Sequence, residues 1–150
     1  MSGLIFDAAG TKPPVNGAIR AVVVDDSEAF LAEAARFLMS DQRIDVVGRA
    51  SSGREALELL PRLKPDVALI DLTMPGIGGL ETTRQIKQWP DPPRVVILTL
   101  HQAPAYVAAA REAGADAFVS KAEVADSLLP TIHELFPNTE PPLPAVTTRP

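Results

Sequence analysis

The chain has 150 residues, 46% of them hydrophobic, which is enough for one buried core and too much for a chain that stays disordered. Its net charge of −5, with the basic residues scattered singly, leaves no basic stripe for nucleic acid. Zero cysteines exclude disulfides, thiolate metal sites and a cysteine nucleophile; the two histidines, His101 and His133, are too few for a histidine-based zinc centre. No apolar run reaches the roughly 18 residues of a membrane-spanning helix, and no export signal opens the chain, so the expected compartment is the cytoplasm.

Residues 1–17, with Thr11-Lys12-Pro13-Pro14, show neither a helical nor a strand period and read as a flexible N-terminal arm. The apolar patch Leu4-Ile5-Phe6 inside it has no local explanation. From there short β-branched and aliphatic runs, at 19–24, 46–50, 67–70, 95–98 and 117–119, alternate with stretches of helical period. Ser27 caps a first amphipathic helix bearing Phe30, Leu31, Ala34, Phe37 and Leu38, and Ser52 with Glu55 forms a capping box before Ala56, Leu59, Leu60 and Leu63. Further helices are expected over 79–89, over 104–113 with Gly114 as the stop, and over 124–136. Pro61 and Pro130 fall inside helical patterns, where a kink or an early end is expected. Five of the 15 prolines lie in 137–150, which reads as a tail or linker.

The runs at 67–70 and 95–98 are continuously apolar, as strands buried on both faces of a parallel sheet must be. Five successive βα units therefore predict an α/β fold, a doubly wound five-stranded parallel sheet with helices on both faces. Ligands bind such sheets beyond the carboxyl ends of the strands. Those ends carry Asp25 and Asp26, Asp71, Thr99, and Ser120 with Lys121.

Three carboxylates converging from two strands repel one another and take up protons unless a positive charge sits between them. An all-oxygen set suits a hard divalent cation such as Mg²⁺. A metal, a hydroxyl (Thr99) and an ammonium (Lys121) around one carboxylate form a cradle for a transferred phosphoryl group, with Asp71 as the nucleophile. A dehalogenase-like phosphatase would also use a strand-end aspartate with Mg²⁺, but it needs an acid two residues later, where this chain has Thr73.

Over residues 18–136 the chain resembles the receiver domains of two-component response regulators, the CheY-like family. The marks, in order, are Asp25-Asp26, Asp71-Leu72-Thr73-Met74-Pro75-Gly76, Thr99 and Lys121. The stretch at 65–80, PDVALIDLTMPGIGGL, looks most like the NarL/LuxR type, whose output half is a helix-turn-helix DNA-binding domain. The resemblance implies strand order 2-1-3-4-5 and Asp71 as acceptor of phosphate from a sensor histidine kinase. It implies Mg²⁺ held by Asp26 directly, Asp25 through water, Asp71 and the Thr73 backbone carbonyl. Thr99 and Lys121 would bind phosphoryl oxygens, and Thr99 with Phe118 would form the switch.

In that reading the chain catalyses only its own phosphorylation and dephosphorylation. The added phosphoryl brings roughly −1.5 to −2 of charge. It would draw Thr99 and Lys121 inward and alter the surface of the fourth helix, fifth strand and fifth helix, where a partner or a second copy would dock. DNA would be reached only through an output domain beyond this chain; the alternatives are a stand-alone receiver and a phosphorylation-independent scaffold.

Two departures from the family pattern affect the site. Leu100 replaces the small residue usual after the threonine and should restrict access to the phosphoryl pocket, and Ala122 stands where proline usually follows the lysine. His101 reads as an exposed loop residue, His133 as a residue on the face of the last helix, and Tyr106 and Trp89 as packing or surface residues.

Overall fold

The computed structural model describes residues 3–6 and 17–137. Its strands are β1 (Leu4–Ile5), β2 (Ile19–Val24), β3 (Ile44–Ala50), β4 (Val67–Asp71), β5 (Arg94–Thr99) and β6 (Ala117–Ser120). Its helices are α1 (Glu28–Met39), α2 (Gly53–Leu63), α3 (Gly79–Ile86), α4 (Pro104–Ala113) and α5 (Val124–Leu135). One sheet runs β1-β6-β5-β4-β2-β3, parallel throughout except for the antiparallel β1–β6 pair. The five expected strands keep their expected order. The correction is a sixth strand, formed by Leu4 and Ile5 within the stretch read as a flexible arm; residues 1, 2 and 7–16 of that arm lie outside the described residues, as do residues 138–150 of the tail.

The sheet divides the core in two. On one face Leu31, Ala34 and Leu38 of α1 and Leu128, Ile132 and Leu135 of α5 pack on Ile19, Leu69, Val96 and Val119. On the other, Ala56 and Leu60 of α2, Ile86 of α3 and Ala110 of α4 pack on Val22, Ile70, Ile97 and Phe118. Every residue of β4 is buried because helices cover both faces. Each fully buried Val, Leu or Ile stabilises the fold by about 1.5–3 kcal/mol.

Local signals set the helix ends, with four adjustments. Ser27 Oγ accepts the Phe30 N–H at 3.1 Å, and Gly114, at φ 99°, closes α4. Ser52 Oγ accepts the Glu55 N–H at 3.0 Å, but the expected reciprocal bond shifts by one residue: the Glu55 carboxylate accepts from the Ser51 N–H and hydroxyl at 2.7 and 2.9 Å. The third helix stops at Ile86 rather than 89, because Gln88 and Trp89 donate to carbonyls only three residues back, a tightened last turn. Helix α2 ends two residues after Pro61, whereas α5 runs on for five residues past Pro130. Both prolines are exposed, so a carbonyl that loses its donor is on the solvent side. The fifth helix ends at Leu135, with Phe136 as its cap.

Candidate functional site

The first side chains beyond β2 are Asp25 and Asp26, and their poses differ. Asp25, 1% exposed, accepts the Ser27 N–H on Oδ1 at 2.8 Å, so the residue that caps α1 also fixes the carboxylate before it. Asp26 is exposed. Asp71, the last residue of β4, is 6% exposed. Oxygen atoms of Asp25, Asp26 and Asp71 lie within 4.8 Å of one another.

Lys121 follows β6 in a single 3-10 turn, Lys121–Glu123, and reaches back over the strand ends. Its Nζ lies 2.6 Å from Asp25 Oδ2 and 3.1 Å from Asp71 Oδ1. The same ammonium sits 4.3 Å from the centroid of the Phe30 ring on α1. Phe30 was legible in the sequence only as part of a helical apolar face; its position three residues after the Ser27 cap is the one signal that it stands near the strand ends. Thr99, 1% exposed, ends β5 beside Ser120 of β6, and its Oγ1 accepts the His101 N–H at 2.9 Å.

The loop after β4 brings α3 hard against the site. The Gly79 N–H donates to the Leu72 carbonyl at 2.9 Å, and a Cβ on Gly79 would lie 2.1 Å from the Asp71 carbonyl oxygen. Only glycine lets α3 start that close to the acidic strand end. Thr73, in this loop, is exposed.

The charges do not balance. Burial, the largest influence on Asp71, raises its pKa; Lys121 pulls it down and the Asp25 and Asp26 carboxylates push it up, leaving it above the ordinary 3.8. For Lys121 burial works against the charge, but its hydrogen bonds to Asp25 and Asp71 outweigh this and raise its pKa. Three clustered carboxylates face one ammonium, and a hard cation with oxygen ligands would relieve the excess negative charge.

The remaining residues of interest lie at the rim or beyond it. Leu100 is 69% exposed. His101 and Tyr106, both exposed, stack at 5.2 Å between centroids. Phe118 is buried in the core layer under α2, α3 and α4, its backbone paired with Ile97 on one side and Leu4 on the other. His133 Nε2 of α5 lies 2.8 Å from Asp41 Oδ2, just past the end of α1. Among the described residues no helix is long and apolar enough to cross a membrane.

This geometry can be set beside known proteins. The family model described as the response regulator receiver domain matches residues 21–133. The response regulator GacA of Pseudomonas aeruginosa is 34% identical over 118 residues, covering 79% of this chain and 55% of that protein. The transcriptional regulatory protein LiaR of Bacillus subtilis is 38% identical over 114 residues, covering 73% of this chain and 54% of that one. The structure of the NarL signal receiver domain from Mycobacterium tuberculosis matches with a TM-score of 0.76 at 32% identity, over 81% of this chain and 98% of that chain. The chain thus spans about half the length of GacA and LiaR.

Proposed function

This chain belongs to the response regulator receiver domain family, and from that premise we propose that Asp71 accepts a phosphoryl group from a sensor histidine kinase. The observation that supports this most is the Lys121 ammonium held between Asp25 and Asp71, with Asp26 clustered with those two carboxylates and Thr99 ending the strand beside that of Asp71. In the transfer an Asp71 carboxylate oxygen attacks phosphorus. A P–O bond forms, the P–N bond of the phosphohistidine breaks, and the imidazole leaves with the electron pair. Hydrolysis reverses the loading when water attacks phosphorus and the Asp71 carboxylate departs.

Asp25, Asp26, Asp71 and the Thr73 backbone carbonyl would hold Mg²⁺. When bound, the ion neutralises the charge that gathers on the phosphoryl oxygens. Lys121 supplies a fixed positive charge from the other side, and the Thr99 hydroxyl is a hydrogen-bond donor for a phosphoryl oxygen. Because burial and neighbouring carboxylates raise the Asp71 pKa, compensating positive charge also keeps the nucleophile ionised.

Displacement of Thr99 and Lys121 toward the phosphoryl group is read out through Phe118 and the α4, β6 and α5 surface, where a partner or a second copy docks. The domain performs no chemistry besides its own loading and unloading. It works in the cytoplasm as the receiver part of a transcriptional regulator of the NarL/LuxR kind, with DNA contacted by an output segment outside this chain. Intact mass after incubation with Mg²⁺ and acetyl phosphate tests the reading. A gain of one phosphoryl group is expected in the native chain and not in Asp71→Asn; no gain in the native chain overturns it.

A further inference from the structure

The outer edge of β6 would be the open edge of the sheet, a row of unpaired N–H and C=O groups that any extended segment could join. Residues 3–6 occupy it. Leu4 pairs with Phe118 and Ile5 with Ala117, and the Phe6 N–H donates to the Asp116 carbonyl at 2.8 Å. The segment is clipped on both sides of the sheet. The Gly3 N–H donates to Thr131 Oγ1 of α5 at 3.2 Å, Ile5 packs on the α1–α5 layer, Phe6 packs on the opposite layer, and Arg111 of α4 stands 5.1 Å over the Phe6 ring.

We propose that the β6 edge, flanked by α4 and α5, is a strand-accepting surface that residues 3–6 of this same chain fill, and that phosphorylation of Asp71 releases them. The proposal rests on the phosphoacceptor reading above. Two facts couple the segment to the site. Phe118, the direct partner of Leu4, lies three residues before Lys121, whose ammonium bridges Asp25 and Asp71. A phosphoryl group on Asp71 adds charge and acceptor oxygens that compete with Asp25 for that ammonium, so the end of β6 is pulled while its edge is held. The held piece is a two-residue strand, the kind of element that opens locally at low cost.

The occupant is also fitted residue by residue. A Cβ on Gly3 would lie 2.5 Å from Val119 Cγ2 and 2.9 Å from the Phe118 carbonyl oxygen, so Gly3→Val dislodges the segment without shortening the chain. Coupling is reciprocal: if phosphorylation loosens the segment, the segment opposes the phosphorylated form.

The test combines amide hydrogen exchange at Phe6 with intact mass, in the native chain, Asp71→Asn and Gly3→Val. Phe6 protection should fall roughly tenfold or more on phosphorylation with acetyl phosphate and Mg²⁺, and stay unchanged in Asp71→Asn. Gly3→Val should expose the Phe6 amide without phosphorylation and bind beryllofluoride with Mg²⁺, a reversible phosphoryl mimic, roughly fivefold more tightly than the native chain. Equal Phe6 protection before and after a measured gain of one phosphoryl group overturns the coupling and leaves the phosphoacceptor reading standing. Equal beryllofluoride affinity in a Gly3→Val chain whose Phe6 amide exchanges freely also overturns it. A native chain that gains no mass overturns both.

Discussion

Buried carboxylates stand at both ends of the parallel strands, and the two ends treat them differently. At the amino end Asp116, just before β6, is held by Arg94 at 2.8 Å, by Lys87 at 2.7 Å and by the Val95 N–H at 2.8 Å. Two cations pair with that one carboxylate. At the carboxyl end Asp25 and Asp71 share the Lys121 ammonium, Asp26 lies in the same carboxylate cluster, and burial and repulsion raise the Asp71 pKa. Burial alone therefore does not tell these carboxylates apart; the charges around each one do. The amino-end cluster ties α3, β5 and β6 together, while the carboxyl-end cluster gathers three carboxylates around Lys121.

The largest effect should come from breaking the balanced end. Asp116→Ala removes the buried carboxylate that Arg94 and Lys87 share, and should cost about 3–5 kcal/mol in denaturant unfolding. Phosphoryl gain per folded molecule should be unchanged; loss of acceptance in the folded variant would show that the two ends are not independent.

Next in size is the response to metal. At 100 times its dissociation constant, Mg²⁺ should stabilise the native chain by about 2.7 kcal/mol. Asp116→Ala should show the same increment and Asp71→Asn a clearly smaller one. Equal increments in all three, read from thermal midpoints, would dissociate the ion from the acidic strand ends.

The pH response should separate the ends more finely. A carboxyl whose folded pKa is raised holds its proton more tightly in the folded than in the unfolded chain. Asp71 therefore lowers stability as pH climbs from the ordinary 3.8 to its raised folded value. Metal-free Asp71→Asn lacks this slope, so the difference in unfolding free energy between variant and native chain should grow in favour of the variant across that window and then level off. A flat difference curve would contradict it. Asp41 has the opposite sign: burial raises its pKa, but hydrogen bonds from Arg43 and the nearby His133 outweigh this and lower it, so its contribution fades as pH falls through its folded value.

The smallest stability change is expected at Leu100. Leu100→Ala, at a 69% exposed position, should shift unfolding by no more than about 0.5 kcal/mol. If the side chain restricts access to the phosphoryl pocket, phosphorylation by acetyl phosphate and subsequent hydrolysis both accelerate in the variant. Equal rates remove that role from Leu100.

Much of this architecture is written in local pattern. Continuous apolar runs mark β4 and β5 as strands covered on both faces, Ser27 and Gly114 set helix ends through hydrogen bonds within a few residues, and the parallel βα alternation carries Asp25, Asp71, Thr99 and Lys121 to one edge of the sheet. Periodicity and capping report such features because their causes lie within one or two turns of chain.

Tertiary structure alone decided the contacts whose partners are distant in sequence. Leu4-Ile5-Phe6 has no period of its own and becomes a strand only because the β6 edge, more than a hundred residues on, offers unpaired backbone groups and apolar surface on both sides. Asp116 looks like an ordinary turn residue until Arg94 and Lys87 close on it, and Phe30 meets the Lys121 ammonium only once α1 and the turn after β6 meet over the carboxyl ends of the strands. Sequence sets which side chains are available and which local element carries each one. The pairing of distant charges, rings and strand edges is settled by packing, since only in the assembled sheet do their separations shrink to the range of a hydrogen bond or a van der Waals contact.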